Sequence, residues 1–264
     1  MNKASDDLPA KVEKTRAEVA AQFLSGGCGI EVGASSRPFP VPPGIQVIYG
    51  DIHEAPTSDK NPPASAHPAK IRRIDAQTFT GIPSNKFDFV ISAHVIEHLR
   101  DPMGAIVHAV RIIKPGGVYI LVVPDLRRTF DQQRTGTSIE HLLADFRDGG
   151  EGTCRQAYEE HLRFVHPHLT GQEYSEEEIA RQSAEAAKQW RNCDIHFHAW
   201  TRSDFKKLLR VVAQVAPFKV ELNVSIVNEN IFVLRKRRSL MKRILIAARS
   251  KLFRLSLLSL KIKP

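Results

Sequence analysis

The residues of this chain best suited to chemistry are histidines and carboxylates at short, regular spacings. His94-x-x-Glu97-His98 gathers two imidazoles and an acid, and His196-Phe-His198-Ala-Trp200 adds two more imidazoles far downstream. Imidazole is the side chain best matched to proton transfer near neutral pH, so His94 and His198 are candidate general bases. Upstream, Glu31-Val-Gly33, Gly50-Asp51 and Asp75-Ala76 each close a short apolar run with an acid or a glycine. Taken singly, each has an ordinary reading as a turn or a cap. In series they describe one sheet edge able to receive a polar ligand.

The elements that must position these groups follow from apolar runs and their punctuation. Cys28 to Val32, Gln46 to Tyr49, Ile71 to Asp75, Phe87 to Ser92 and Val118 to Val123 read as short buried strands. Asp101-Pro102 opens a helix with Ile106, Val110 and Ile113 at helical spacing, and Lys114-Pro-Gly-Gly117 ends it. Strands that are apolar throughout and linked by helices belong to a parallel sheet covered on both faces. Phe218 to Val227, Asn228-Glu-Asn230 and Ile231 to Leu234 read as a closing antiparallel hairpin. The fold class is α/β.

The stretch FDFVISAHVIEH…DP…RIIKPGGVYILVVPD, Phe87 to Asp125, resembles the fourth and fifth strands of class I S-adenosylmethionine (AdoMet)-dependent methyltransferases of the type 11 kind. The resemblance implies a Rossmann-like, seven-stranded, mostly parallel sheet with a terminal antiparallel hairpin. It also implies an AdoMet site at the strand ends, formed by Glu31, Gly33, Ala34, Ser35, Asp51, Asp75, Ala76 and Ala93. Gly33 would let the turn pass beneath the cofactor, where a side chain would collide with it. Asp51 is the carboxylate that a ribose diol requires, and Asp75-Ala76 resembles the adenine contact. Ser35 stands where a second glycine is usual, and Arg37, Pro38 and Pro40 follow it.

The acceptor side begins after the fifth strand. Asp125-Leu-Arg-Arg-Thr-Phe-Asp131 and Arg134 should hang over the cofactor's methyl group, within an insertion spanning residues 126–200 that has helices at Ser138 to Phe146 and Glu176 to Trp190. Thr201 is a cap for a further helix. PDxRxTFDxxR with a later HxHxW resembles bacterial methyltransferases found with surface-polysaccharide and glycolipid assembly, which implies O-methylation of a sugar or glycan-linked acceptor. Methyl transfer to a hydroxyl needs a base, and His94 sits just beyond the fourth strand, with Glu97 and His98 one helical turn on. His94-x-x-Glu97-His98 also resembles the metal motif of small-RNA and ubiquinone-pathway O-methyltransferases, although the first position there is Glu. A divalent ion on Glu97 and His98, with His196 or His198 as a further ligand, therefore stays open. So does the plain reading that Glu97 and His98 only cap and anchor the helix, and no metal is assigned. Two other functions remain beside the first: a metal-assisted O-methyltransferase of a quinone-like or small-RNA diol, and a non-catalytic protein of the same fold.

Composition bounds the remainder. The 264 residues suit one core domain with appendages, and three cysteines without CxxC spacing suggest neither a disulfide framework nor a zinc ribbon. Residues 1–24 read as an amphipathic helix capped near Ser5 or Asp6, residues 25–234 as the methyltransferase domain, and residues 235–264 as a basic tail. That tail holds eleven of the Lys and Arg residues and no acid, so the net charge of +9 leaves the body at −2. The body is thus not expected to bind nucleic acid. In the tail, Met241, Ile244, Leu245, Ala248, Leu252 and Leu255 share one helical face, the pattern of an interfacial helix on an anionic membrane, beside the plain reading of a disordered or self-packing solubilising tail and the further option of nucleic-acid contact. Without an apolar signal core or a spanning run, a cytoplasmic location, peripheral at the inner membrane face, is expected.

Overall fold

The computed structural model of the protein describes residues 8–34, 37–52, 71–192 and 194–238. Fourteen principal elements follow in chain order: α1 (Leu8–Phe23), β1 (Cys28–Val32), β2 (Gln46–Asp51), β3 (Ile71–Arg73), β4 (Phe87–Ala93), α2 (Pro102–Ile112), β5 (Ile113–Pro124), α3 (Ile139–Asp148), α4 (Cys154–Glu160), α5 (His166–Thr170), α6 (Glu176–Lys188), α7 (Arg202–Val212), β6 (Phe218–Ile226) and β7 (Glu229–Lys236). The seven strands form one sheet in the order β3-β2-β1-β4-β5-β7-β6. The first five pair in parallel and β6 pairs antiparallel with β7, so the expected Rossmann-like sheet with its closing hairpin is present. The strand order reverses between β1 and β4, which leaves a crevice outside their carboxyl ends.

Contacts divide the chain into two compact units. The first takes the described residues up to 96, with 108–123 and 218–238; the second takes 97–107 and the described residues of 124–217. In the first, Val19 and Ala20 of α1 pack with Phe89, Ile91, Val118, Ile120, Val122, Ile231 and Val233. Central-strand residues such as Val90, Ile91, Leu121 and Val122 are fully buried, which is why these strands lack polar alternation.

Two boundaries differ from expectation. Lys114-Pro-Gly-Gly117 does not simply end a helix: α2 stops at Ile112, and the tetrapeptide is an irregularity within β5, where the register shifts between Phe87 and Phe89. Lys114 Nζ reaches both Asp88 carboxylate oxygens at 2.8 and 2.9 Å, and a Cβ on Gly117 would lie 2.3 Å from the Asp88 carbonyl oxygen. Glycine is required there by close backbone approach. The hairpin also runs on to Lys236 instead of ending at Leu234. The Lys236 ammonium is buried and donates to Asn85 Oδ1 (2.9 Å), Arg111 O (3.0 Å) and Ile113 O (2.6 Å), so it belongs to the sheet and not to the tail.

In the second unit the cap read at Thr201 is in place, and Ser138 and Ser175, not read as caps in the sequence, start two further helices. Ser138 accepts from His141 N, Thr201 accepts from Asp204 N, and Ser175 with Glu178 forms a capping box that starts α6. The expected insertion also contains α4, a π-helical segment His161–Val165 and α5. Cys154, Ala157, Tyr158, Ile195 and Phe197 form its small apolar core. Among the described residues no helix is long and apolar enough to cross a membrane. The cap residues Ser5 and Asp6, Ser35 and the apolar stripe of the tail lie outside the described residues.

Candidate functional site

The parallel register lines up the acids read from sequence along one edge of the first unit. Glu31 faces Tyr49 in register, Val32 faces Gly50, Asp51 faces Arg73, and Ala93 ends β4 opposite Val122. Backbone bonds continue the alignment beyond the strands: Gly33 N donates to Gly50 O (2.9 Å) and Ile74 N to Asp51 O (2.8 Å). The carboxyl ends of β1, β2 and β3 therefore carry Glu31 and Gly33, Asp51, and Asp75 together.

Glu31 is deeply buried. It is 1% exposed, Oε1 accepts from Phe39 N at 2.8 Å, and Oε2 is buried with no hydrogen-bond partner among the described residues. Burial pushes its carboxyl up to about 7, against the opposing pull of the Phe39 amide and the Arg16 charge. A buried acceptor left over at a strand end fits a cationic donor on a bound cofactor. Gly33 has φ +69, and a Cβ there would lie 2.4 Å from Val95 Cγ2. Its glycine requirement thus arises within the protein, from the left-handed backbone and from Val95, and not only from ligand volume. Asp75 spends Oδ1 on Gln77 N (2.8 Å), while its carbonyl accepts from Thr78 and Phe79. Ala34 is buried and Ala76 half-buried beside these acids.

His94 follows β4 in the left-handed region, φ +54, with its amide on Val122 O at 3.0 Å. The turn Ile96–His98 is a single 3-10 turn that begins after it. The helical spacing expected from His94 to Glu97 and His98 therefore does not exist. Instead His94 Nε2 meets Glu229 Oε2 at 2.9 Å, and Arg16 grips the same carboxylate with Nε at 3.0 Å and Nη2 at 2.5 Å. Burial pushes the 2%-exposed Glu229 carboxyl upward, but the bonds and charges of His94 and Arg16 outweigh it and hold the carboxyl below its ordinary value. Because Glu229 stays ionised and accepts, Nε2 carries the proton and Nδ1 is the basic nitrogen. Neither Glu229, read only as part of a turn, nor Arg16 was visible as a partner in the sequence.

The second unit gathers the remaining imidazoles. His98 Nδ1 lies 3.1 Å from Ile195 O and 2.7 Å from Asp194 Oδ1. Burial lowers the basicity of His98, yet the Asp194 bond and the Glu97 charge outweigh it and raise its pKa overall. His196 Nδ1 meets Asp131 Oδ2 at 2.6 Å, and Arg134 is buried between Asp131 Oδ1 (3.1 Å), Glu160 Oε2 (3.1 Å) and the carbonyls of His196 (2.8 Å) and Phe197 (3.1 Å). Asp131 and Arg134, expected over the cofactor's methyl, thus hold the unit's interior together. His198 is 1% exposed, bonds Asp145 Oδ2 through Nε2 at 2.8 Å and stacks on Trp200 at 5.5 Å. Burial lowers its pKa despite Asp145. An enclosed ring so bonded is placed as a packing group and not as a base for an acceptor.

Residues 24–121 match a family model described as methyltransferase domain. That stretch carries a methyltransferase domain, and the sheet it belongs to has the Rossmann-like fold of such domains. Solved structures resemble it only distantly. A SAM-dependent methyltransferase from Methanosarcina mazei is 14% identical, covering 84% of this chain and 98% of that one, TM-score 0.47. A protein from Pyrococcus horikoshii OT3 is 13% identical, covering 89% and 92%, TM-score 0.48. The CurJ carbon methyltransferase is 13% identical over 80% of this chain, TM-score 0.43, and this chain spans about half (49%) of its length. No curated protein matches the chain. The orphaned Glu31 oxygen and the aligned strand-end acids fit the AdoMet that the sequence resemblance implies.

Proposed function

We propose that this methyltransferase methylates a hydroxyl oxygen of a sugar or glycan-linked acceptor, with His94 as general base. The observation that carries the reading is the His94–Glu229 pair at 2.9 Å, an imidazole whose basic nitrogen is fixed by a buried, Arg16-held carboxylate. The acceptor class is supported by the sequence resemblance of PDxRxTFDxxR and HxHxW. Bound AdoMet supplies a sulfonium methyl for in-line transfer to the attacking oxygen. Glu31 receives the amino group of the cofactor, Asp51 its ribose hydroxyls and Asp75 its adenine amine. His94 takes the hydroxyl proton at Nδ1, and Glu229 stabilises the imidazolium that results. Arg16 keeps Glu229 ionised throughout.

Incubating the protein with labelled AdoMet and a panel of activated sugars and polysaccharide fragments tests the reading. Methyl uptake at a hydroxyl is expected, and His94→Ala should lower it by about 10²–10⁴-fold while leaving AdoMet affinity unchanged. Full turnover by His94→Ala, or labelling confined to amines, would refute it.

A further inference from the structure

We propose that Glu97, His98 and His196 bind a divalent ion of the zinc class. Each offers one ligand atom, and these atoms lie within 4.8 Å of one another. Bonds of about 2.0–2.2 Å to such an ion need only a modest further approach. The supporting shell is the stronger observation. A carbonyl oxygen can only accept, so the bond to Ile195 O places the proton of His98 on Nδ1, and the Asp194 carboxylate receives the same edge. His196 Nδ1 is likewise turned to the Asp131 carboxylate at 2.6 Å. Both rings therefore offer Nε2. Rings held by an oxygen acceptor behind them are the arrangement that orients metal-binding histidines and raises their basicity.

The frame behind the ligands is rigid. Asp131 is fixed by Arg134, and Arg134 by the carbonyls of His196 and Phe197. His198 N donates to Glu97 O at 3.2 Å, which ties the 196–198 segment to the turn that carries Glu97 and His98. The two imidazoles meet edge-on with centroids 4.7 Å apart. Glu97 is 0% exposed and offers a carboxylate oxygen as the third ligand. Two nitrogens and one oxygen favour a first-row transition ion over magnesium or calcium, and three protein ligands leave a position open for water or another oxygen ligand.

A second cluster, His141, Asp145 and His198, is built differently. There the ring nitrogens face the acid itself: His198 Nε2 lies 2.8 Å and His141 Nε2 3.4 Å from Asp145 Oδ2, while Thr153 donates to Oδ1. That is a hydrogen-bonded carboxylate, with its acceptor sites taken from within the protein.

The test uses the full chain, stripped with EDTA and titrated with zinc chloride, reading metal content, affinity and melting temperature. The wild type should hold one zinc per chain and melt higher when loaded. His98→Ala should lose affinity by about 100-fold or more, and Asp131→Asn by about 10–100-fold. His141→Ala should bind as the wild type does. A wild type that takes up no zinc overturns the proposal, as does a folded His98→Ala with unchanged affinity or a His141→Ala that loses the metal.

Discussion

Glu31 shows how a single residue couples cofactor binding to stability. Its folded carboxyl titrates at about 7, above the ordinary 4.5, because burial disfavours its charge. Between those values the unfolded chain releases a proton that the folded one keeps, so stability falls as pH rises through that window and levels off above it. The penalty at pH 8 is at most about 3–4 kcal/mol. Glu31→Gln should therefore raise the melting temperature of the ligand-free protein at pH 8 and flatten its dependence on pH. The same variant should weaken AdoMet binding by about 1.5–3 kcal/mol. A melting profile that tracks the wild type at every pH would show that burial of this charge is not the cause. Glu31, Asp51 and Asp75 were legible in the sequence because each ends an apolar run, and parallel pairing brings such ends together. Glu229 and Asp131 were not. Their histidine partners lie 135 and 65 residues away, and no local pattern announces a bond at that separation.

At the scale of elements, long apolar runs and the Thr201 cap read true, while short polar helices did not. β4, α2, α6 and α7 carry strong periodicity or a capping box. The turn of π-helix at His161–Val165 and the five-residue α5 hold few buried apolar residues, so they left no periodic trace. The boundary at the end of β7 has an energetic consequence. Lys236 donates to Asn85 Oδ1, Arg111 O and Ile113 O, so removing it takes one buried donor from each, with Arg111 O keeping Asn85 N at 3.0 Å. Deleting residues 239–264 should leave the melting temperature and AdoMet binding intact. Deletion from Arg235 onward should unfold or strongly destabilise the protein, by several kcal/mol on the order of three lost buried bonds. Calorimetry of the two truncations checks this, and equal stability would mean that Lys236 contributes nothing to the sheet.

At the scale of the whole molecule, the sheet and its strand-end acids belong to one unit and the histidine cluster to the other. The sequence disclosed the first through its KPGG block and strand ends, and the second only as an insertion rich in His and Arg. The basic segment after Arg238 is proposed as a membrane-surface anchor. The intact protein should float with anionic vesicles, and the 239–264 deletion should not, since each Lys or Arg near such a surface contributes about 1 kcal/mol. Indifference of the intact protein to those vesicles would remove the anchor. The most direct measurement of the central claim is calorimetric titration of AdoMet into the wild type, Asp51→Ala and His94→Ala. Binding to the wild type, a loss of about 1.5–3 kcal/mol in Asp51→Ala and no change in His94→Ala are expected. An unchanged dissociation constant in folded Asp51→Ala, or no heat from the wild type, would contradict an AdoMet site at these strand ends.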